Sequence, residues 1–138
     1  MSSASQPLAT TERNKQLILR WFEEVWNQGR RDTIPELFPN DAILHDGVNH
    51  FHGPKEFFPF YDSLRSQFSD FRITPVVCVA EGDHVCLHWA ATFRHTESSK
   101  PIQISGTSIC RVENGRFAEA WQNWDAAGLQ SQLTAVAG

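Results

Sequence analysis

Between Phe71 and Asp125 the chain reads as strand-like stretches joined in pairs by tight-turn signals. "FRITPVVCVAE" and "HVCLHWAATFRHTE" flank Gly82-Asp83, and "KPIQISGTSICRVE" and "RFAEAWQNWD" flank Asn114-Gly115. Asn-Gly between such segments is a strong hairpin signal, because both residues tolerate the positive φ of a type I′ turn. Two hairpins cannot bury an apolar face by themselves, so another part of the chain must cover it.

The first half supplies that cover. Residues 11–28 carry Leu17, Ile18, Trp21, Phe22, Val25 and Trp26 at helical steps, with Thr10 or Thr11 as cap and Gly29 as the stop. "DTIPELF" reads as a short helix capped by Asp32. "DAILHDGVN" reads as a strand. "GPKEFFPFYDSLRSQFSD" reads as a helix opened by Pro54, with Pro59 able to distort it and Phe57, Phe60, Tyr61, Leu64 and Phe68 as its apolar stripe. "AAGLQSQL" makes a terminal helix or turn. Helices first and antiparallel strands last define an α+β class, in which N-terminal helices pack on one face of a curved sheet and close a pocket. The length of 138 residues suits one core. Residues 1–10 are expected to be a disordered tail and residues 11–134 a single domain.

Composition narrows the partners. A net charge of −4 disfavours nucleic acid, and no apolar run is long enough to span a membrane. The start, "MSSASQPLATTERNK", lacks the apolar stretch of a secretory signal. Cys78, Cys86 and Cys110 form an odd set without CxxC spacing, which suits reduced thiols in a cytoplasmic protein.

Strand alternation assigns faces. Val85, Leu87, Trp89, Ala91, Phe93 and His95 should face the helices, as should Ile104, Gly106, Ser108, Cys110 and Val112. In the last strand, strict alternation puts Phe117, Glu119, Trp121, Asn123 and Asp125 on one face. Asp125 would then share the pocket side with Trp121, where burial makes a carboxyl a usable acid/base. Equally, Asp125 suits the cap of a helix starting at Ala126. The opposite face, with Cys86, Ala90, Thr92, Ser105, Thr107, Ile109, Ala118, Ala120 and Trp124, holds too few charges for a freely solvated sheet. It is expected to be covered by a second copy of the chain in a two-fold dimer.

"HDGVNHFHG", residues 45–53, places His45, Asp46, His50 and His52 close together. His50 and His52 with His45 or Asp46 have the donor types of a zinc site. Glycines bracket the segment, however, and no second ligand cluster supports it, so no metal is expected. By alternation His45 should point into the pocket and Asp46 away. There is no G-x-S-x-G elbow, and no cysteine has an evident activating partner, which argues against nucleophilic catalysis.

The segments "VWNQGRRDTIPELFPNDAILHD", "GPKEFF", "EGDHVCLHWAATFRHTE" and "VENGRFAEAWQNWDAAGLQSQL" together resemble the SnoaL-like polyketide cyclase family, within the nuclear transport factor two-like superfamily. The last segment is the most specific, through Asn114, Gly115, Arg116, Phe117, Glu119, Trp121, Asp125, Gly128, Leu129, Gln132 and Leu133. The resemblance implies a cone-shaped α+β barrel, often dimeric, whose pocket needs no metal or cofactor. Characterised cyclases of the family close a ring by intramolecular aldol condensation, with one Asp as general acid/base. By position Asp125 matches that residue, His95 the pocket histidine, and His45 a histidine at the end of the first strand. The family often has His and Asp flanking the Trp, where this chain has Ala120 and Gln122.

The expected function is therefore cyclase- or isomerase-like proton transfer on a polyketide-like carbonyl compound. Catalysis falls to Asp125, His95 and His45, and the hydrophobic substrate to a pocket of Trp26, Phe57, Phe60, Tyr61, Leu64, Trp89, Phe93, Ser108, Trp121 and Asn123. A non-catalytic small-molecule-binding domain needs only the pocket, and the same rings suit ordinary core packing. An epoxide hydrolase or dehydratase on the same fold is the other alternative.

Overall fold

The computed structural model describes residues 6–135. Helix α1 (Gln6–Arg20) starts earlier than the apolar spacing predicts, and the rest of the expected tail lies outside the described residues. It runs directly into a wider, π-helical segment, Trp21–Asn27. Trp21, Phe22, Val25 and Trp26 in this segment are all buried, as their i, i+1, i+4, i+5 spacing on one helical face predicts. The short α2 (Thr33–Leu37) follows.

The stretch read as one strand is a hairpin. β1 (Ile43–Asp46) turns at Gly47, which has φ +61°, and returns as β2 (Asn49–His52). Helix α3 (Gly53–Gln67) passes through Pro59 without breaking and ends earlier than expected, because Phe68 already opens β3 (Phe68–Glu81). β4 (His84–His95), β5 (Pro101–Glu113), β6 (Arg116–Trp124) and α4 (Ala126–Thr134) complete the chain. Asn114 and Gly115 both take positive φ, as a type I′ turn requires.

The six strands form one sheet in the order β2-β1-β6-β5-β4-β3. Every pairing is antiparallel except β1 with β6. The sheet curves and stays open, with α1, the π segment and α3 packed in its concavity as a cone. β3 shifts register between Ser69 and Arg72 and again between Pro75 and Val77. Such bulges bend an edge strand, and Pro75 is tolerated where a ladder donor is not needed.

A bulge in β6 reverses the expected facing of its second half. Val112 pairs with Phe117, but Arg111 pairs with Glu119, so Ala118 is inserted between them. One added residue sends every later side chain to the other face. Phe117 and Ala120 are therefore both buried, and Gln122 and Trp124 follow them inward. Trp121, Asn123 and Asp125 turn outward, whereas uninterrupted alternation predicts the reverse. In β4 and β5 the alternation holds: Val85, Leu87, Trp89, Ala91 and Phe93 are buried, as are Ser108 and Cys110.

Candidate active site

The interior of the cone holds an aromatic-walled space in two adjoining parts. The outer part is lined by Phe22, Trp26, Phe60, Leu64, Phe71, Trp89, Phe93, Gln122, Trp124 and Leu129. The room left there for water-sized molecules is about 60 Å³, so the space is a narrow slot between rings in the single chain. The inner part, bounded by Trp21, Phe38, Leu44, Phe57, Ser108 and Phe117, shares Phe22, Trp26 and Gln122 with it. Gln122 thus stands where the two parts meet.

The polar groups here come from neighbouring strands. Trp89 faces Gly106 across the β4–β5 ladder, and Leu87 faces Ser108. A side chain on Gly106 would overlap the Trp89 ring, so glycine is what lets this indole lie flat against the sheet. Trp89 Nε1 donates to Ser108 Oγ at 3.2 Å, and Ser108 Oγ donates to Gln122 Oε1 at 3.3 Å. One strand further, Asp46 is the register partner of Gln122 in the parallel β1–β6 pair.

Asp46 is only 8% exposed. Trp124 Nε1 donates to its Oδ1 at 3.0 Å. Burial raises the carboxyl above the ordinary aspartate range, because the charged form loses water, and the Trp124 hydrogen bond offsets part of that rise. The inward facing of Asp46 corrects the expectation that it points away. Ala42 and Leu44, both buried, mark the even positions of this strand as inward. That was the available signal for Asp46, and the histidines beside it obscured it.

His45 correspondingly lies on the outer face. Its ring stacks on Trp121 at 5.8 Å, its Nε2 meets Glu119 Oε2 at 2.7 Å, and its Nδ1 meets Nδ1 of the cross-strand His50 at 2.7 Å. His52 pairs instead with Glu56 at 3.2 Å. Among the described residues no three His, Cys, Asp or Glu side chains converge as metal ligands.

Of the other expected site residues, Trp26, Phe60, Leu64, Trp89 and Phe93 line the outer part, and Phe57 and Ser108 the inner part. Tyr61 sits behind the wall, its hydroxyl donating to Val25 O at 2.6 Å. His95 is half-buried at the end of β4, its Nδ1 2.8 Å from Ser98 Oγ. Asp125 is exposed, and its Oδ1 accepts the Gly128 N–H at 2.8 Å as the N-cap of α4. Trp121 and Asn123 lie on the outer face, away from the cavity. Gln122 and Trp124, which sequence reasoning missed, line the outer part, and Asp46, also missed, lies beside them through its bond to Trp124 and its pairing with Gln122.

An open curved sheet wrapped around helices, with an apolar cavity between them, defines a nuclear transport factor two-like cone fold. The chain belongs to the SnoaL-like domain family, whose pattern matches residues 18–120. Solved structures show the same fold. A proposed SnoaL-like polyketide cyclase from Jannaschia sp. CCS1 has a TM-score of 0.84 at 18% identity, over 93% of this chain and 96% of its own. IdmH, a proposed polyketide cyclase from Streptomyces antibioticus, has a TM-score of 0.76 at 23% identity, over 88% and 99%. An LEH-like epoxide hydrolase from M. tuberculosis has a TM-score of 0.73 at 14% identity, over 89% and 90%. No curated protein matches the sequence.

Proposed function

We propose that this protein catalyses proton transfer on a hydrophobic, polyketide-like carbonyl compound, in a cyclisation or isomerisation, with Asp46 as the general acid/base. The observation that carries this reading is a buried carboxyl with a raised pKa beside an aromatic cavity. Burial brings such a group toward neutral pH, where it can both take and return a proton. The acid/base role expected at Asp125 passes to Asp46, and Asp125 serves as a helix cap. His95 acts as a rim residue and His45 as part of the outer face.

The test is hydrogen–deuterium exchange at the α-carbon of flat bicyclic and tricyclic ketones, followed by NMR. Asp46→Asn keeps the shape and the acceptor for Trp124 but cannot take the proton. Exchange should fall by about 10²–10⁴-fold while ligand binding persists. Exchange at the wild-type rate in this variant would sink the reading.

We also propose a homodimer through the outer sheet face. Val79, Cys86, Ile109, Trp121 and His45 form a row of register partners across it, with Val77 52%, Val79 54% and Ile109 39% exposed in the single chain. An apolar row of this kind is commonly covered. A monomer in sedimentation at micromolar concentration would contradict the dimer. Three unpaired thiols, Cys78, Cys86 and Cys110, suit a cytoplasmic setting. Among the described residues no helix is long and apolar enough to cross a membrane.

A further inference from the structure

We infer that Gln122 is the hydrogen-bond donor to the substrate's carbonyl oxygen, and that Trp89 and Ser108 lock its amide in the orientation this requires. The inference rests on the proton-transfer reading of Asp46 and adds the group that receives the developing negative charge.

An indole N–H can only donate, so the Trp89–Ser108 contact at 3.2 Å makes Ser108 Oγ an acceptor there. A hydroxyl has one proton, and Ser108, buried at 4% exposure, must place it on an acceptor. Gln122 Oε1, at 3.3 Å, is that acceptor. The carboxamide is thereby fixed with its oxygen toward Ser108 and its NH2 group turned the other way. Among the described residues Gln122 Nε2 has no acceptor, and the residue borders both parts of the cavity. Trp89, Ser108 and Trp124 all have their protons engaged. On the sheet side of the cavity, Gln122 therefore holds the free amide protons, and its register partner is Asp46.

A base and a donor on adjacent strands fit an enolisable carbonyl compound. The Asp46 carboxylate takes the α-proton, and the C–H electron pair becomes the C=C bond of an enolate. The C=O π pair moves onto oxygen, where Gln122 Nε2–H donates to it. Asp46 then returns the proton to a conjugated carbon, which is isomerisation. Alternatively the enolate carbon bonds to a second carbonyl carbon, whose oxygen takes the proton, which is aldol ring closure. Both routes balance without an external redox partner. A neutral amide suits this task because it adds no second negative charge beside Asp46, as an acidic residue at position 122 would.

The experiment uses 9-fluorenone, a flat apolar ketone with no α-hydrogen, and reads the C=O stretch of the bound ligand by infrared difference spectroscopy. In the wild-type protein the band should move to lower wavenumber, as it does in a hydrogen-bonding solvent. In Gln122→Leu it should return to its apolar-solvent position, and Gln122→Met, similar in length and without a donor, should do the same. Ser108→Ala, which frees the amide to rotate, should give a broadened or split band. Asp46→Asn should keep the shifted band while losing proton exchange, so failure of the base and failure of the donor are read separately. Failure of fluorenone to bind, or retention of the wild-type band position in the folded Gln122→Leu or Gln122→Met variant, would overturn the inference.

Discussion

Replacing Trp124 with Phe isolates the contact that keeps the Asp46 charge tolerable. The indole N–H lies 3.0 Å from Asp46 Oδ1, and the carboxyl is 8% exposed, so water replaces the lost donor poorly. A hydrogen bond to a charged group contributes about 1.5–3 kcal/mol, and one to a neutral group about 0.5–1.5 kcal/mol. The variant should therefore lose more stability when Asp46 is ionised than when it is protonated, by roughly 1 kcal/mol. The packing lost in going from indole to phenyl is the same at every pH. Asp46 is an acid whose folded pKa lies above its unfolded value. The folded state thus holds the proton more tightly, and stability falls as pH rises from the ordinary aspartate range through the folded pKa. Removing the Trp124 donor deepens that fall. The stability gap between wild type and variant should be smallest near pH 4, widen as pH rises, and level off once Asp46 is ionised in both. Urea unfolding across pH 4–8 measures it. With a slope of about 2 kcal/mol per molar urea, the midpoint difference should grow by about 0.5 M. In an Asp46→Asn background the pH dependence should vanish. A gap that stays constant with pH would refute the coupling between this indole and an ionising Asp46.

Other outcomes follow from neighbouring contacts. Asp125→Ala should cost about 1 kcal/mol through loss of the α4 cap and leave turnover intact, as thermal unfolding and the exchange assay together would show. Gly106→Ala should destabilise by about 1–3 kcal/mol, since its Cβ would overlap the Trp89 ring and lie 2.8 Å from Asn123 O, and it should also weaken ligand binding in a titration. Tyr61→Phe should cost about 1–3 kcal/mol in denaturant unfolding by leaving the buried Val25 carbonyl without its 2.6 Å donor. Burial pushes the Cys110 thiol up to about 12, so native-state alkylation followed by mass mapping should leave Cys110 unmodified at pH 8 while Cys78 and Cys86, which are half-buried, react first.

The sequence by itself determined the class of the fold. The helical spacing of Ile18, Trp21, Phe22, Val25 and Trp26, the Asn114-Gly115 turn, and the alternation from Val85 to Phe93 are local signals, and local geometry obeys them. Of the rings that wall the cavity, Trp26, Phe57, Phe60, Trp89 and Phe93 were among the candidate pocket residues, while Trp21, Phe22, Phe68 and Phe117 were legible only as apolar core positions. The polar site was decided elsewhere. Ala118 enters β6 as a bulge only because Val112 and Arg111 pair across it in a particular register, and no local signal distinguishes it from its neighbours. That single insertion carries Gln122 and Trp124 inward and Asp125 outward. The hairpin at Gly47 and the parallel pairing of β1 with β6 then bring Asp46 beside Gln122, far apart in sequence. A strand's period fixes which residues share a face, but its pairing fixes which face is inside, and pairing is a tertiary property.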